Sequence, residues 1–189
     1  MLHIISGFWL SRAVYVAAKL GLADLISDGP KTAPELATAT NTHAPSLYRV
    51  VRALATAGIF FEDGERRFHM TPLATTLQTG VPGSLRSLAL TELGEEHYPA
   101  WENVLHSVRT GEIAFDQRFG MPIWEFFGEN PENAAIFNDA MTNLTSGVIT
   151  AIMAAYDFSA FKTVADIGGG QGSLVTTILK AYPNASGIL

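Results

Sequence analysis

The sequence predicts a mainly α N-terminal domain carrying a helix–turn–helix–hairpin module, followed by the opening βα unit of an α/β domain. Three observations predict it. Apolar residues recur three and four positions apart over most of the first 155 residues, as amphipathic helices require. Asp63-Gly64 separates two short runs rich in aromatic and β-branched residues, which marks a hairpin. Residues 163–172 then pass from a strand-like run into a Gly-rich stretch, and a helical stripe follows. On this reading residues 1–155 form the first domain and residues 156–189 begin the second.

The chain opens on a helix. Ile5, Trp9, Ala13, Val16 and Leu20 recur at helical spacing, and Gly21 stands where a C-terminal cap belongs. The opposite side carries Ile4, Phe8 and Ala17, so the helix is apolar all round and predicts burial, against a second subunit. Thr32-Ala33-Pro34-Glu35 has capping-box spacing and opens a short helix over Leu36 and Ala37. Pro45 starts the next helix, with Leu47, Val50, Val51, Leu54 and Gly58 along its buried stripe. Ile59–Glu62 and Glu65–Met70 flank Asp63-Gly64, which predicts a type I′ turn with both central residues at positive φ. Helix, turn, helix and hairpin in that order form a winged-helix-like module. Thr71-Pro72 caps a short helix ending near Gly80.

Trp101, Val104, Leu105 and Val108 form a further stripe, closed by Gly111. Phe115 to Phe127 contains Gly120 and Pro122 and predicts an irregular loop. Asn130-Pro131 supplies the N-cap and first residue of a long helix, with Phe137, Met141, Leu144, Val148 and Ile152 on one stripe. Tyr156–Phe161 reads as a linker. Thr163–Ile167 is a strand, Leu174, Val175, Ile178, Leu179 and Tyr182 mark a helix, and Gly187–Leu189 begin a second strand.

Bulk properties narrow the function classes. An apolar fraction of 48% and a mean hydropathy of +0.19 imply apolar surface that a second subunit covers. No apolar stretch reaches bilayer-spanning length, and the Leu2–Leu20 segment lacks the basic flank and cleavage site of a signal peptide. The absence of cysteine excludes disulfides and thiolate metal sites and fits a cytoplasmic setting. A net charge of -6 argues against a polyanionic partner. The winged-helix-like module raises the reading of a DNA-binding regulator, and Arg49 and Arg52 lie on the candidate recognition helix. From Lys31 to Gly80, however, five basic residues (Lys31, Arg49, Arg52, Arg66, Arg67) face four acidic ones (Glu35, Glu62, Asp63, Glu65), too little excess for a phosphate-tracking face.

The chemistry lies in Asp166-Ile167-Gly168-Gly169-Gly170-Gln171-Gly172. Alternate glycines between a strand and a helix let the backbone approach a ligand at the carboxyl end of a sheet. A dinucleotide fingerprint wants Gly or Ala three residues after Gly170, where this chain has Ser173, so a nicotinamide cofactor is the weaker reading. Acid-x-Gly-x-Gly-x-Gly is instead the spacing of S-adenosylmethionine (SAM)-dependent methyltransferases. Asp166 then orients the charged methionine part of SAM, and Gly168 and Gly170 clear room for it. The residues alone equally allow Asp166 to be a turn-stabilising carboxylate.

Several segments in order carry a resemblance: Ala17–Asp24, Leu47–Gly58, Phe68–Leu73, Pro82–Leu85, Phe137–Met141 and Val164–Gly170. Together they resemble the plant-type and bacterial small-molecule O-methyltransferases, which include caffeate, hydroxyindole and polyketide methyltransferases. The resemblance implies a homodimer in which the N-terminal helices and winged helix interlock with a partner and help wall the substrate pocket. It implies a Rossmann-like domain that binds SAM, and methyl transfer to a hydroxyl of a small aromatic or polyketide-like molecule. It implies that Phe137 to Met141 line the active site, with Met141 near the cofactor or substrate, although Phe137 and Met141 at helical spacing read slightly better as plain core. Trp124, Phe126 and Phe127 could wall an aromatic substrate pocket, but read better as packing. The family's general-base histidine and its ribose-binding acid are expected beyond Leu189, so the chain is expected to be a truncated methyltransferase that does not turn over alone. A non-catalytic dimerisation scaffold is the alternative. His3, His43, His69, His97 and His106 match no catalytic position, and no clustered ligand set implies a metal.

Overall fold

The computed structural model describes residues 1–189, and its first helix is α1 (Leu2–Lys19). Gly21 follows it at φ 63°, the left-handed conformation that glycine adopts without strain. Ala17 and Ala18 enter the core, whereas Leu2, Ile4, Ile5, Phe8 and Trp9 face outward. The all-round burial expected for this helix is therefore not supplied within one chain.

Next come α2 (Leu22–Ser27), β1 (Lys31–Thr32), α3 (Ala33–Thr40), α4 (Ala44–Thr56), β2 (Phe60–Glu62) and β3 (Arg67–Met70). The capping box of α3 forms as its spacing requires. The Glu35 N–H donates to Thr32 Oγ1 at 3.4 Å, and the Thr32 N–H donates to Glu35 Oε2 at 2.7 Å. The strands make an antiparallel sheet in the order β1-β3-β2, with Phe60 opposite Met70 and Lys31 opposite Phe68. Leu22, Ile26, Leu36, Val51, Leu54, Phe60 and Phe68 meet as the core. Each such side chain is worth roughly 1.5–3 kcal/mol when fully buried.

The hairpin differs from the type I′ turn expected at Asp63-Gly64. The Asp63 N–H donates to Arg67 O at 3.0 Å, so Gly64–Arg66 form a three-residue loop, with positive φ at Arg66 (60°) and not at Gly64. The reason is the Asp63 side chain. Its Oδ1 accepts the N–H groups of Glu65 and Arg67, both at 2.9 Å, and its Oδ2 lies 2.7 Å from His69 Nε2.

After α5 (Pro72–Thr75), capped by Thr71, the chain runs through α6 (Arg86–Glu92), α7 (His97–Glu102), α8 (Val104–Thr110), α9 (Ala114–Phe119), α10 (Ile123–Glu129) and α11 (Pro131–Ala155). Residues 115–127 are thus two short helices and not the irregular loop expected. Gly120, at φ 73°, ends α9, and Pro122 precedes α10; they punctuate two helices whose Phe115, Phe119 and Phe126 rings pack together. Asn130 does precede α11, but its side chain does not cap that helix. Its Nδ2 donates back to Phe126 O at 2.8 Å. The Trp101–Val108 stripe is exposed within this chain.

Finally, β4 (Thr163–Ala165), α12 (Ser173–Ala181) and β5 (Ser186–Ile188) form a parallel βαβ unit, with Thr163 opposite Ser186 and Ala165 opposite Ile188. A Cβ at Gly187 would stand 2.8 Å from both Val175 and Leu179, so α12 seats tightly on β5. The long helix α11 packs against both α6 and α12, which sets the glycine loop beside the helical part. No helix is long and apolar enough to cross a membrane.

Candidate functional site

The site begins where β4 ends. The Asp166 N–H donates to Ile188 O at 2.9 Å, which extends the sheet pairing by one residue and fixes Asp166 at the strand's carboxyl end. Its Oδ2 accepts the Val175 N–H at 3.4 Å. Gly168, Gly170 and Gly172 then take φ of 73°, 56° and 72°. A residue with a Cβ would carry roughly 1–2 kcal/mol of strain at each. No atom lies within 4 Å of a Cβ built on Gly168 or Gly170, so both backbones border open space. Gly169 is different. Its Cβ would fall 2.3–2.5 Å from the Asp166 carboxylate, which lies across it. Sequence reasoning singled out Gly168 and Gly170 and missed Gly169; the signal available was the unbroken Gly168–Gly170 run.

A cavity of about 460 Å³ lies between this loop and α11. The loop contributes Asp166, Gly168, Gly169, Gly170 and Gln171, and α12 contributes Ser173. Facing them, α11 contributes Phe137, Asn138, Met141, Thr142, Thr145 and Ile149, and α10 contributes Trp124. Asp166, Gly168, Gly170 and Met141, the four residues expected at a cofactor, therefore border one space. Its volume is that of a small-molecule site. One carboxylate, several amide and hydroxyl groups and an apolar wall suit a ligand with a cationic end and a flat apolar part. That donor set fits SAM.

The apolar wall is aromatic. Phe137 packs on Trp124 (ring centroids 6.0 Å apart, 78° between planes) and on Phe127 (5.0 Å). Of the three aromatics read as packing, Phe127 is buried and Phe126 joins the α9 rings, whereas Trp124 also borders the cavity. Trp124 in addition lines a second, mostly apolar groove of about 470 Å³ with His97, Trp101, Val104, Phe115 and Ile123.

None of the five histidines lines the glycine-loop cavity. His43, His69 and His106 contact Ser46, Asp63 and Glu112 respectively. The His97 ring lies 6.2 Å from that of Phe137 and within 7° of parallel. Glu96, 2% exposed, accepts from Thr91 Oγ1 at 3.0 Å and Asn133 Nδ2 at 2.9 Å. Its carboxylate lies 3.9 Å from His97 Nδ1, a charge contact too long for a hydrogen bond.

Comparison with known proteins bears on this geometry. The O-methyltransferase dimerisation domain matches residues 2–80, and the O-methyltransferase domain matches residues 101–189. The chain belongs to the O-methyltransferase family. It is 47% identical to the phenazine O-methyltransferase PhzM of Lysobacter antibioticus over 189 residues, covering 100% of the chain and 55% of that relative. The crystal structure of LaPhzM superposes with a TM-score of 0.94 at 47% identity, over 100% of the chain and 56% of that structure. The O-methyltransferase NcsB1 from neocarzinostatin biosynthesis, solved with SAM and 2-hydroxy-5-methyl naphthoic acid, gives a TM-score of 0.79 at 35% identity, covering 94% of the chain and 55% of that structure. The chain thus spans about half the length of the relatives it matches.

Proposed function

We propose that the chain is part of a SAM-dependent O-methyltransferase that methylates a hydroxyl of a small aromatic or polyketide-like molecule. The observation that carries this is the cavity of about 460 Å³ on which the glycine loop and Met141 converge. Asp166 holds the ammonium end of the methionine part of SAM, and the open backbones of Gly168 and Gly170 admit it. Met141 covers the cofactor from α11, while Trp124 and Phe137 offer a flat wall and exclude water. When bound, SAM supplies an electrophilic methyl group on a cationic sulfur. The protein's share is orientation of the reactants. Proton removal is assigned to none of the five histidines, since none lines the cavity. The phenazine and naphthoic acid in the names of PhzM and the NcsB1 complex support a planar aromatic acceptor.

Further parts of the reading are proposals of the same kind. Residues 1–155 serve as a winged-helix-like dimerisation unit, residues 156–189 open the Rossmann-like cofactor domain, and α1 joins two copies into a homodimer. The absence of cysteine supports a cytoplasmic setting. The test is calorimetric titration with S-adenosylhomocysteine (SAH) and, separately, with NADH. Heat with SAH, lost in Asp166→Ala, and none with NADH is the expected result. Preference for NADH would replace the methyltransferase reading, and a dimer that binds neither would leave a non-catalytic scaffold.

A further inference from the structure

We infer that Glu96 is a positioning residue for the glycine-loop cavity, acting through Asn133 on the α11 wall. The inference rests on the reading of that cavity as the cofactor site. A carboxylate buried among apolar side chains is disfavoured unless its oxygens find partners. Here the two oxygens go to two different helices: Oε1 accepts from Thr91 on α6 at 3.0 Å, and Oε2 accepts from Asn133 on α11 at 2.9 Å. The turn that delivers Glu96 is tight. A Cβ on Gly94 would fall 2.0 Å from Leu90 O and 3.2 Å from Glu96 Oε2, so no other residue fits without movement.

The next residue faces the same helix. The His97 ring is 6.2 Å from that of Phe137 and within 7° of parallel. Asn133, Phe137 and Met141 stand four residues apart on α11 and share one face over successive turns. Glu96 thus holds α11 at the Asn133 turn, the His97 ring faces Phe137 on the next, and the third turn carries Met141 into the cavity. Apolar packing alone tolerates small rotations of a helix, whereas directed hydrogen bonds specify one. The Glu96 contacts with Thr91 and Asn133 are therefore matched to the placement of Phe137 and Met141 opposite Asp166.

The experiment labels the chain with 5-fluorotryptophan and assigns the Trp124 resonance by Trp124→Phe. Trp124 reports on Phe137, which it packs against, and Trp9, on the exposed end of α1, is the reference. At temperatures well below unfolding, Glu96→Ala and Asn133→Ala are expected to shift the Trp124 resonance and leave Trp9 in place. The same variants are expected to weaken SAH binding severalfold. Glu96→Gln, which keeps an acceptor for Asn133 and a polar partner for Thr91, is expected to restore most of both. Lowered thermal midpoints with an unmoved Trp124 resonance and unchanged SAH affinity would reduce Glu96 to ordinary structure and overturn the inference. If Glu96→Ala does not fold, Asn133→Ala decides, because it deletes only the α11 side of the contact. If the wild-type chain does not bind SAH, the cofactor reading fails, while the Trp124 resonance still decides whether Glu96 holds α11.

Discussion

Glu96 and His97 are adjacent ionisable groups, and their ionisation ties stability to pH. Burial is the largest influence on Glu96 and pushes its carboxyl up. The His97 imidazole, Thr91, its own backbone N–H and Asn133 together outweigh burial and hold it below its ordinary value of 4.5. The Glu96 carboxylate is the largest influence on His97 and, against burial and with help from Glu92, holds the imidazole above its ordinary 6.5. A lowered carboxyl stabilises the fold above its unfolded value, and the benefit is lost as pH falls through the folded one. A raised imidazole stabilises below its unfolded value, and the benefit is lost as pH rises through the folded one. Both contributions are therefore complete between about 4.5 and 6.5. The thermal midpoint is expected to decline on the alkaline side, above pH 6.5, as His97 loses its proton. That decline should flatten in His97→Gln when circular-dichroism melts are compared across pH, and an unchanged alkaline limb would discount the pair. None of this was legible in the sequence, because Glu96 meets Asn133 only when α11 folds back. Asp166, Gly168 and Gly170 were legible, since one contiguous motif carries them, whereas the demand for glycine at 169 arises from where the Asp166 carboxylate lies.

The start of α3 was legible because its signal is local, whereas the equally local Asn130-Pro131 signal marked the start of α11 but not the Asn130 side chain's partner. Thr32 and Glu35 satisfy each other's backbone N–H groups within a single turn, so four consecutive residues contain all the information. Thr32→Ala removes the acceptor for the Glu35 N–H and is expected to cost about 1 kcal/mol in urea unfolding. An effect indistinguishable from zero would mean that the antiparallel pairing of Thr32 with Arg67 holds the end of α3 unaided. The short helices α9 and α10 were not legible for the converse reason. Six or seven residues are too few to display a helical period, and such helices draw their stability from tertiary packing. Gly120 and Pro122 signalled an interruption correctly, but they bound two helices and do not fill a loop. The Asp63-Gly64 pair likewise signalled a hairpin correctly, while contacts from the Asp63 carboxylate set the turn type.

At the scale of the molecule, the apolar composition and the arrangement of α1 make one argument. A chain with 48% apolar residues hides a core around Leu22, Leu54, Phe60 and Phe68, yet leaves Trp9 68% exposed and Trp101 66% exposed. On α1 the exposed residues are contiguous: Leu2, Ile4, Ile5, Phe8 and Trp9 lie N-terminal to the half that the core holds through Ala17 and Ala18. Scattered apolar residues on a surface need no explanation, but a continuous patch on one helix does. The match of residues 2–80 to a dimerisation domain identifies the kind of contact that would cover it. The periodicity of α1 disclosed a helix apolar all round, and the exposure of its first half shows that one chain does not itself cover it. Because Ile5 and Trp9 take no part in the core, replacing them tests association without disturbing the fold. Light scattering after size exclusion is expected to give twice the chain mass for the wild type, and the monomer mass for Ile5→Glu combined with Trp9→Glu, with an unaltered far-ultraviolet spectrum. The double variant buries two charges without partners if it associates through α1, which is prohibitive for an interface of ordinary size. A variant that remains dimeric would move the interface away from α1, toward the exposed stripe of Trp101, Leu105 and Val108.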